Sequence, residues 1–147
     1  MRLKLSIILA SIIILNSCTR DNNTNNTCVL NNSAFSGAYK ITSIKIQVDS
    51  SSPAIENIQN FEECEVDNIF DFSNSGSFSI SEGLIPCTNP PITTTGTWNL
   101  SSDTLALSYS PSFNDNIIIS NFICTSFQTI VVDSLSGEII TKTYQRQ

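Results

Sequence analysis

The sequence predicts an all-β domain: an eight-stranded up-and-down antiparallel barrel that follows an N-terminal signal helix and a flexible spacer. Three observations carry the prediction. Short segments of alternating apolar and polar residues recur from Ala38 to Gln145, with turns of Ser, Asn, Asp and Gly between them. No long helical period appears after residue 62. Ahead of both stands a short apolar run with a basic start.

That run comes first in chain order. Met1-Arg2-Leu3-Lys4 carries two positive charges, and Leu5 to Leu15 is apolar except for Ser6 and Ser11. As a helix it measures about 16 Å, too short for a bilayer core of about 30 Å. A basic start, a short apolar middle and a small residue before a cut make a secretory signal peptide. Leu15-Asn16-Ser17-Cys18 resembles a bacterial lipobox, although Asn16 stands where a small or apolar residue is usual. Residues 1–17 are therefore expected to be a lipoprotein signal peptide, and Cys18 the lipidated residue. Several acyl chains on Cys18 would anchor the protein to a membrane, since each buried CH₂ contributes about 0.8 kcal/mol. The expected location is the cell envelope, at the outer membrane. Residues 18–33 form the tether; six asparagines after Cys18 favour turns over helix and make a flexible spacer.

The domain is expected over residues 34–147. Its first strand is Ala38–Val48, where Tyr39 and Ile41 alternate in one phase and Ile44, Ile46 and Val48 in the other. The shift near Ser43 predicts a bulge. Residues 53–62 read as a short helix or lid-like loop, with Ile55, Ile58 and Phe61 on one side. Cys64–Phe72 and Ser77–Leu84 make a hairpin across Asn74-Ser75-Gly76. Thr93–Leu100 turns at Ser101-Ser102-Asp103 into the strand 104–109. After a polar loop over 111–116 come Asn116–Ser120, Phe122–Asp133 and Glu138–Gln145. Short turns favour a barrel meander over a two-sheet sandwich, whose crossings need longer connections.

Composition narrows the function. The formal charge is −6, and loss of Arg2 and Lys4 with the leader takes it to −8, a surface that repels nucleic acid. The chain has no histidine and no G-x-S-x-G elbow, so Ser–His catalysis is excluded and no enzyme is expected. No cofactor is called for. Beyond Cys18, the four cysteines Cys28, Cys64, Cys87 and Cys124 suggest two disulfides, with three pairings open. Zinc lacks both a CxxC pair and a histidine to support it. Cys64 and Cys87 lie symmetrically about Ser75 and Gly76, and residues equidistant from a hairpin turn face each other. That pairs Cys64 with Cys87 and leaves Cys28 for Cys124, pinning the spacer to the barrel wall.

Gly37-Ala38-Tyr39-Lys40-Ile41, a cysteine before IFDFSNSGSF, a second cysteine, Gly96-Thr97-Trp98-Asn99-Leu100, TLALSY and a closing TYQRQ occur in that order. This order resembles the lipocalin-like lipoproteins of bacteroidete bacteria. The resemblance implies a lipocalin-like barrel. It further implies that Tyr39 stands in for the tryptophan of the lipocalin Gly-x-Trp and that Arg146 is the late basic residue packed on that ring.

The remaining candidates each have a plainer reading. Glu62, Glu63, Glu65, Asp67 and Asp71 would suit calcium, but a strand would put Glu63, Glu65, Asp67 and Asp71 on one solvated face, so no metal is expected. Trp98 either packs in the core or lines a cavity. Asp103-Thr104-Leu105 and Asp133-Ser134-Leu135 match the Asp-Ser/Thr-apolar pattern of O-glycosylation in bacteroidete exported proteins, at Thr104 and Ser134. Two function classes result. One is a binding module for a small hydrophobic ligand, with Tyr39, Trp98, Ile55, Ile58 and Phe61 at the cavity and the segment 53–62 as its cover. The other is a structural or interaction lipoprotein with a side-chain-filled barrel and a partner-binding rim, its protein partner unknown.

Overall fold

The computed structural model describes residues 28–110 and 113–147. The expected signal segment, Cys18 and the spacer up to residue 27 lie outside the described residues. Among the described residues, no helix is long and apolar enough to cross a membrane.

The strands are β1 (Gly37–Gln47), β2 (Ile55–Glu56), β3 (Ile69–Phe72), β4 (Ser77–Ser81), β5 (Thr93–Ser101), β6 (Thr104–Ser110), β7 (Phe113–Ser120), β8 (Ser126–Val132) and β9 (Ile139–Arg146). β2 is a two-residue strip paired with Lys45 and Ile46 of β1. The other eight form a closed antiparallel barrel in which each strand pairs with the next in sequence. Closure comes from β1, which pairs through Gly37–Lys40 with β3 and through Tyr39–Gln47 with β9. The β1–β9 register shifts between Ile41 and Ser43. This bulge returns Ile44 to the inner face that Tyr39 and Ile41 occupy, which explains the change of apolar phase.

At one end of the barrel, the plugged end, sits α1 (Asn32–Phe35), a single turn that the alternation pattern does not reveal. Asn31 caps it, its side-chain oxygen accepting from Ala34 N at 2.9 Å. The turn drives Phe35 into the barrel, where it is 0% exposed. Its ring lies 4.8–6.1 Å from those of Tyr39, Phe72, Trp98, Phe122 and Phe127. The disulfide Cys28–Cys124, with Cα atoms 5.5 Å apart, ties the chain before α1 to the β7–β8 loop at this same end.

At the opposite, crossover end, residues 48–68 connect β1 to β3. The expected helix or loop over 53–62 contains β2 and a 3-10 turn, Ile58–Asn60. The expected strand Cys64–Phe72 is shorter. Its first part is α2 (Glu63–Val66), and only Ile69–Phe72 enters the barrel. Glu63 and Glu65 in the first turn complement the positive end of the helix, and Glu62 N donates to Glu65 Oε2 at 3.3 Å. The acidic run thus does not share a strand face, and Asp67 is buried. Cys64 bonds to Cys87, with Cα atoms 5.1 Å apart, joining α2 to the β4–β5 loop.

Three other boundaries differ from expectation. β4 stops at Ser81, short of Leu84. β7 begins at Phe113, so most of the expected polar loop is strand. Phe122–Thr125 is a loop rather than the start of β8, because Asn121 and Cys124 hold φ of 49° and 55°, which an extended strand does not allow.

Candidate functional site

Eight strands enclose a space that side chains fill or that holds one small ligand. This barrel is filled by side chains at one depth and left open at another. Above the Phe35 plug lies a cavity of about 210 Å³. It is walled by Phe70 and Phe72 of β3, Ile80 of β4, Leu105, Leu107 and Tyr109 of β6, Ile117 of β7, Phe127 and Thr129 of β8, and Lys142 and Tyr144 of β9. Strand alternation puts them there: each lies two residues from its neighbour on the same strand, with polar residues such as Asp71 pointing out.

Gly96 shapes one wall. A Cβ there would run into the Ser108 carbonyl oxygen and come 2.7 Å from the Phe78 ring. Its absence lets β5 and β6 close together where the β6–β7 register shifts, between Ser108 and Ser110. Phe78 then meets Tyr109 edge-on at 5.3 Å.

The polar groups of the wall are few. Tyr109 Oη hydrogen-bonds Asp115 Oδ2 at 3.0 Å. Burial, then Asp115, push its phenol well above the ordinary range. Tyr144 is pushed up to about 12 by burial, with a hydrogen bond to Thr129 working the other way. Its ring stacks on Phe127 at 4.6 Å. Lys142 is the only charged residue among those lining the cavity.

Tyr39 and Trp98 sit elsewhere. Tyr39 is 0% exposed beside the plug, donating to the Phe35 carbonyl at 2.8 Å. Arg146 Nη2 donates to Tyr39 Oη at 2.7 Å and to the Ser36 carbonyl at 2.9 Å, and the guanidinium carbon stands 5.3 Å from the Tyr39 ring centre. Burial raises the Tyr39 phenol, and Arg146 opposes that shift. Gly37, at φ +146°, lies directly under the Arg146 side chain, with a Cβ position 3.2 Å from Nε. Trp98 is buried against Phe35 and Phe72 and donates from Nε1 to the Ser73 carbonyl at 2.8 Å. Both rings close the plugged end and neither lines the cavity.

Of the expected cover, Ile58 and Phe61 are partly buried against the core, while Ile55 is 65% exposed on β2. None of the three is a lining residue. Thr104 begins β6, its hydroxyl directed to Asp103 at 3.4 Å, and Ser134 is exposed in the β8–β9 turn. Glu62 lies close to Cys64 and Cys87, but those sulfurs are joined to each other and offer no thiolate to a metal.

The residues that do line the cavity were in phase in the sequence. On β9, Ile140, Lys142 and Tyr144 alternate with Thr141, Thr143 and Gln145, which places a lysine in the apolar phase. Phase shows which way a side chain points. It does not show its depth in the barrel, which is why Tyr39 and Trp98 were expected where Phe70, Thr129 and Lys142 stand.

Fold and cavity define the class: a closed antiparallel barrel, plugged at one end, with ligand-sized space inside. The lipocalin-like domain family matches residues 35–128, and the chain belongs to that family. No curated protein matches the chain in sequence. Among solved structures, Odorant Binding Protein OBP1 is 13% identical, with 80% of this chain and 75% of that one covered and a TM-score of 0.41. A deswapped triple mutant of bovine odorant binding protein is 15% identical, with 78% and 74% covered and a TM-score of 0.39. A redesigned beta barrel is 18% identical, with 79% and 94% covered and a TM-score of 0.37.

Proposed function

We propose that the domain binds a small, largely apolar molecule inside the barrel, and that Cys18 tethers it to a membrane of the cell envelope as a lipoprotein of the bacteroidete type. The observation that carries the binding reading is the 210 Å³ cavity with its aromatic and aliphatic wall. It exceeds the roughly 150 Å³ of apolar space that holds a benzene. The 48–68 crossover, with Ile58 and Phe61 against the core, is the segment whose movement admits ligand. The tether reading rests on the lipobox-like Leu15-Asn16-Ser17-Cys18 after a short apolar run. The outer membrane is the location that reading favours.

The test has two arms. Purified protein is extracted with organic solvent and the extract analysed by mass spectrometry; a reproducible small molecule, together with binding of an apolar fluorescent probe that weakens in Phe61→Ser, supports the binding reading. In cells, Cys18→Ala should move the protein out of the salt-washed membrane fraction; if it stays, the tether is wrong. The interaction reading draws support from exposed aliphatic tips at the crossover end, Leu84 and Leu135 each 97% exposed. An empty extract without probe binding would favour it.

A further inference from the structure

The cavity wall carries one charge, and that charge has a consequence for the ligand. Lys142 lies on the inner face of β9, directly opposite buried Ile44 on β1 and buried Thr129 on β8. Four cations occur among the described residues, Lys40, Lys45, Lys142 and Arg146. Arg146 is fixed at the plugged end by its bonds to Ser36 and Tyr39. Lys40 and Lys45 fall in the opposite phase of β1 from its buried Tyr39, Ile41 and Ile44. Lys142 alone among the four lines the cavity.

Of the other polar groups there, the Tyr109 hydroxyl is already committed to Asp115 at 3.0 Å. No carboxylate is among the lining residues. An ammonium beside apolar walls loses hydration, and an opposite charge brought by a ligand would restore the lost interaction. A chain of net charge −6 repels anions at long range, so accepting one requires a local cation.

Resting on the binding reading above, we infer that the ligand is an apolar carboxylic acid whose carboxylate pairs with Lys142. Its hydrocarbon part runs toward Phe72, Leu105, Leu107 and Phe127, the fully buried part of the wall. The head sits at Lys142, which is half-buried and two residues from Ile140 in the direction of the crossover end. Lys142 is thus a specificity-determining residue that selects the acid over the neutral analogue.

The experiment uses the full chain with Cys18→Ala, so that no attached acyl group competes, and titrates it calorimetrically with octanoate and with octanol. Octanoate should bind at least about tenfold more tightly, the scale of a hydrogen bond to a charged group. Lys142→Met should erase that preference, so that octanoate binds no more tightly than octanol, while Lys142→Arg should keep it. Unchanged thermal midpoints in both variants establish that they are folded. Equal binding of acid and alcohol by the parent, or a preference that survives Lys142→Met, overturns the role of Lys142 and leaves the binding reading standing. Failure of both probes to bind overturns the binding reading itself.

Discussion

The two ends of the barrel are built from the same strands and solve different problems. At the plugged end Phe35, Tyr39, Phe72, Trp98 and Phe127 fill the interior, Arg146 stands over Tyr39, and Cys28–Cys124 holds the entering chain. At the crossover end the interior is left partly empty, the connection runs through irregular structure, and Cys64–Cys87 joins two loops. Stability and space for a ligand are thereby separated along one axis. Large rings can be packed to crystal-like density at one end because the other keeps the void.

The comparison predicts unequal costs. Replacing Cys28 and Cys124 together by serine should have the largest effect. The bridge spans a sequence separation of 96 residues. Restriction of the unfolded chain over such a loop is worth about 4.7 kcal/mol in the chain-entropy picture. Urea unfolding should show the loss; a loss below about 1 kcal/mol would mean that the plug holds its end without the bridge.

Phe35→Ala comes next, at about 3–5 kcal/mol, because it removes the ring that five others surround. It should also lower the near-ultraviolet circular dichroism of Trp98. Removing Cys64 and Cys87 should cost less than removing the first bridge, about 3 kcal/mol, since their separation is 23 residues. If that loss exceeded the loss of Cys28–Cys124, the ranking of the two ends would be reversed.

How much of this asymmetry the sequence carried depends on the length of the pattern. β1, β5 and β9 were readable because each runs eight residues or more, long enough for an extended segment to stand out between its turns. α1 and α2 are four residues each, too short for a helical period, so the plug and the end of the crossover were not seen. The Cys64–Cys87 pairing followed from hairpin symmetry, but the reason is different from the expected one. The β3–β4 ladder ends at Ile69 and Ser81, and the disulfide joins the two chains that leave it over similar lengths. The cavity was legible only as a phase; which inward residues would be plug and which wall depended on Phe35, a long-range effect.

A pH dependence sharpens the contrast within the cavity wall. Tyr144 has a folded pKa of about 12, against about 10 for an exposed phenol. Its phenol is therefore easier to ionise in the unfolded chain. Stability should be complete below about pH 10 and fall as the pH rises from about 10 toward about 12, by roughly 2–3 kcal/mol. Tyr109 is shifted in the same direction and adds to the fall. Urea midpoints measured across that window should drop in the parent and drop less in Tyr144→Phe. An equal drop in both would show that Tyr144 does not govern alkaline unfolding.

The smallest effect belongs to the tips of the crossover end. Leu84 and Leu135 are each 97% exposed, so their side chains keep in the folded state nearly all the water contact they have in the unfolded chain. Burial contributes about 25 cal/mol per Å² only for area removed from water, and here almost none is removed. Leu84→Ser and Leu135→Ser should each change stability by less than about 0.5 kcal/mol. The same substitution at Leu105, which is buried in the cavity wall, should cost several times more. Paired urea melts of the three variants check this directly. A loss of about 2 kcal/mol or more at Leu84 or Leu135 would show that the tip packs against something in solution, and the crossover end would then be less open than its exposed aliphatics indicate.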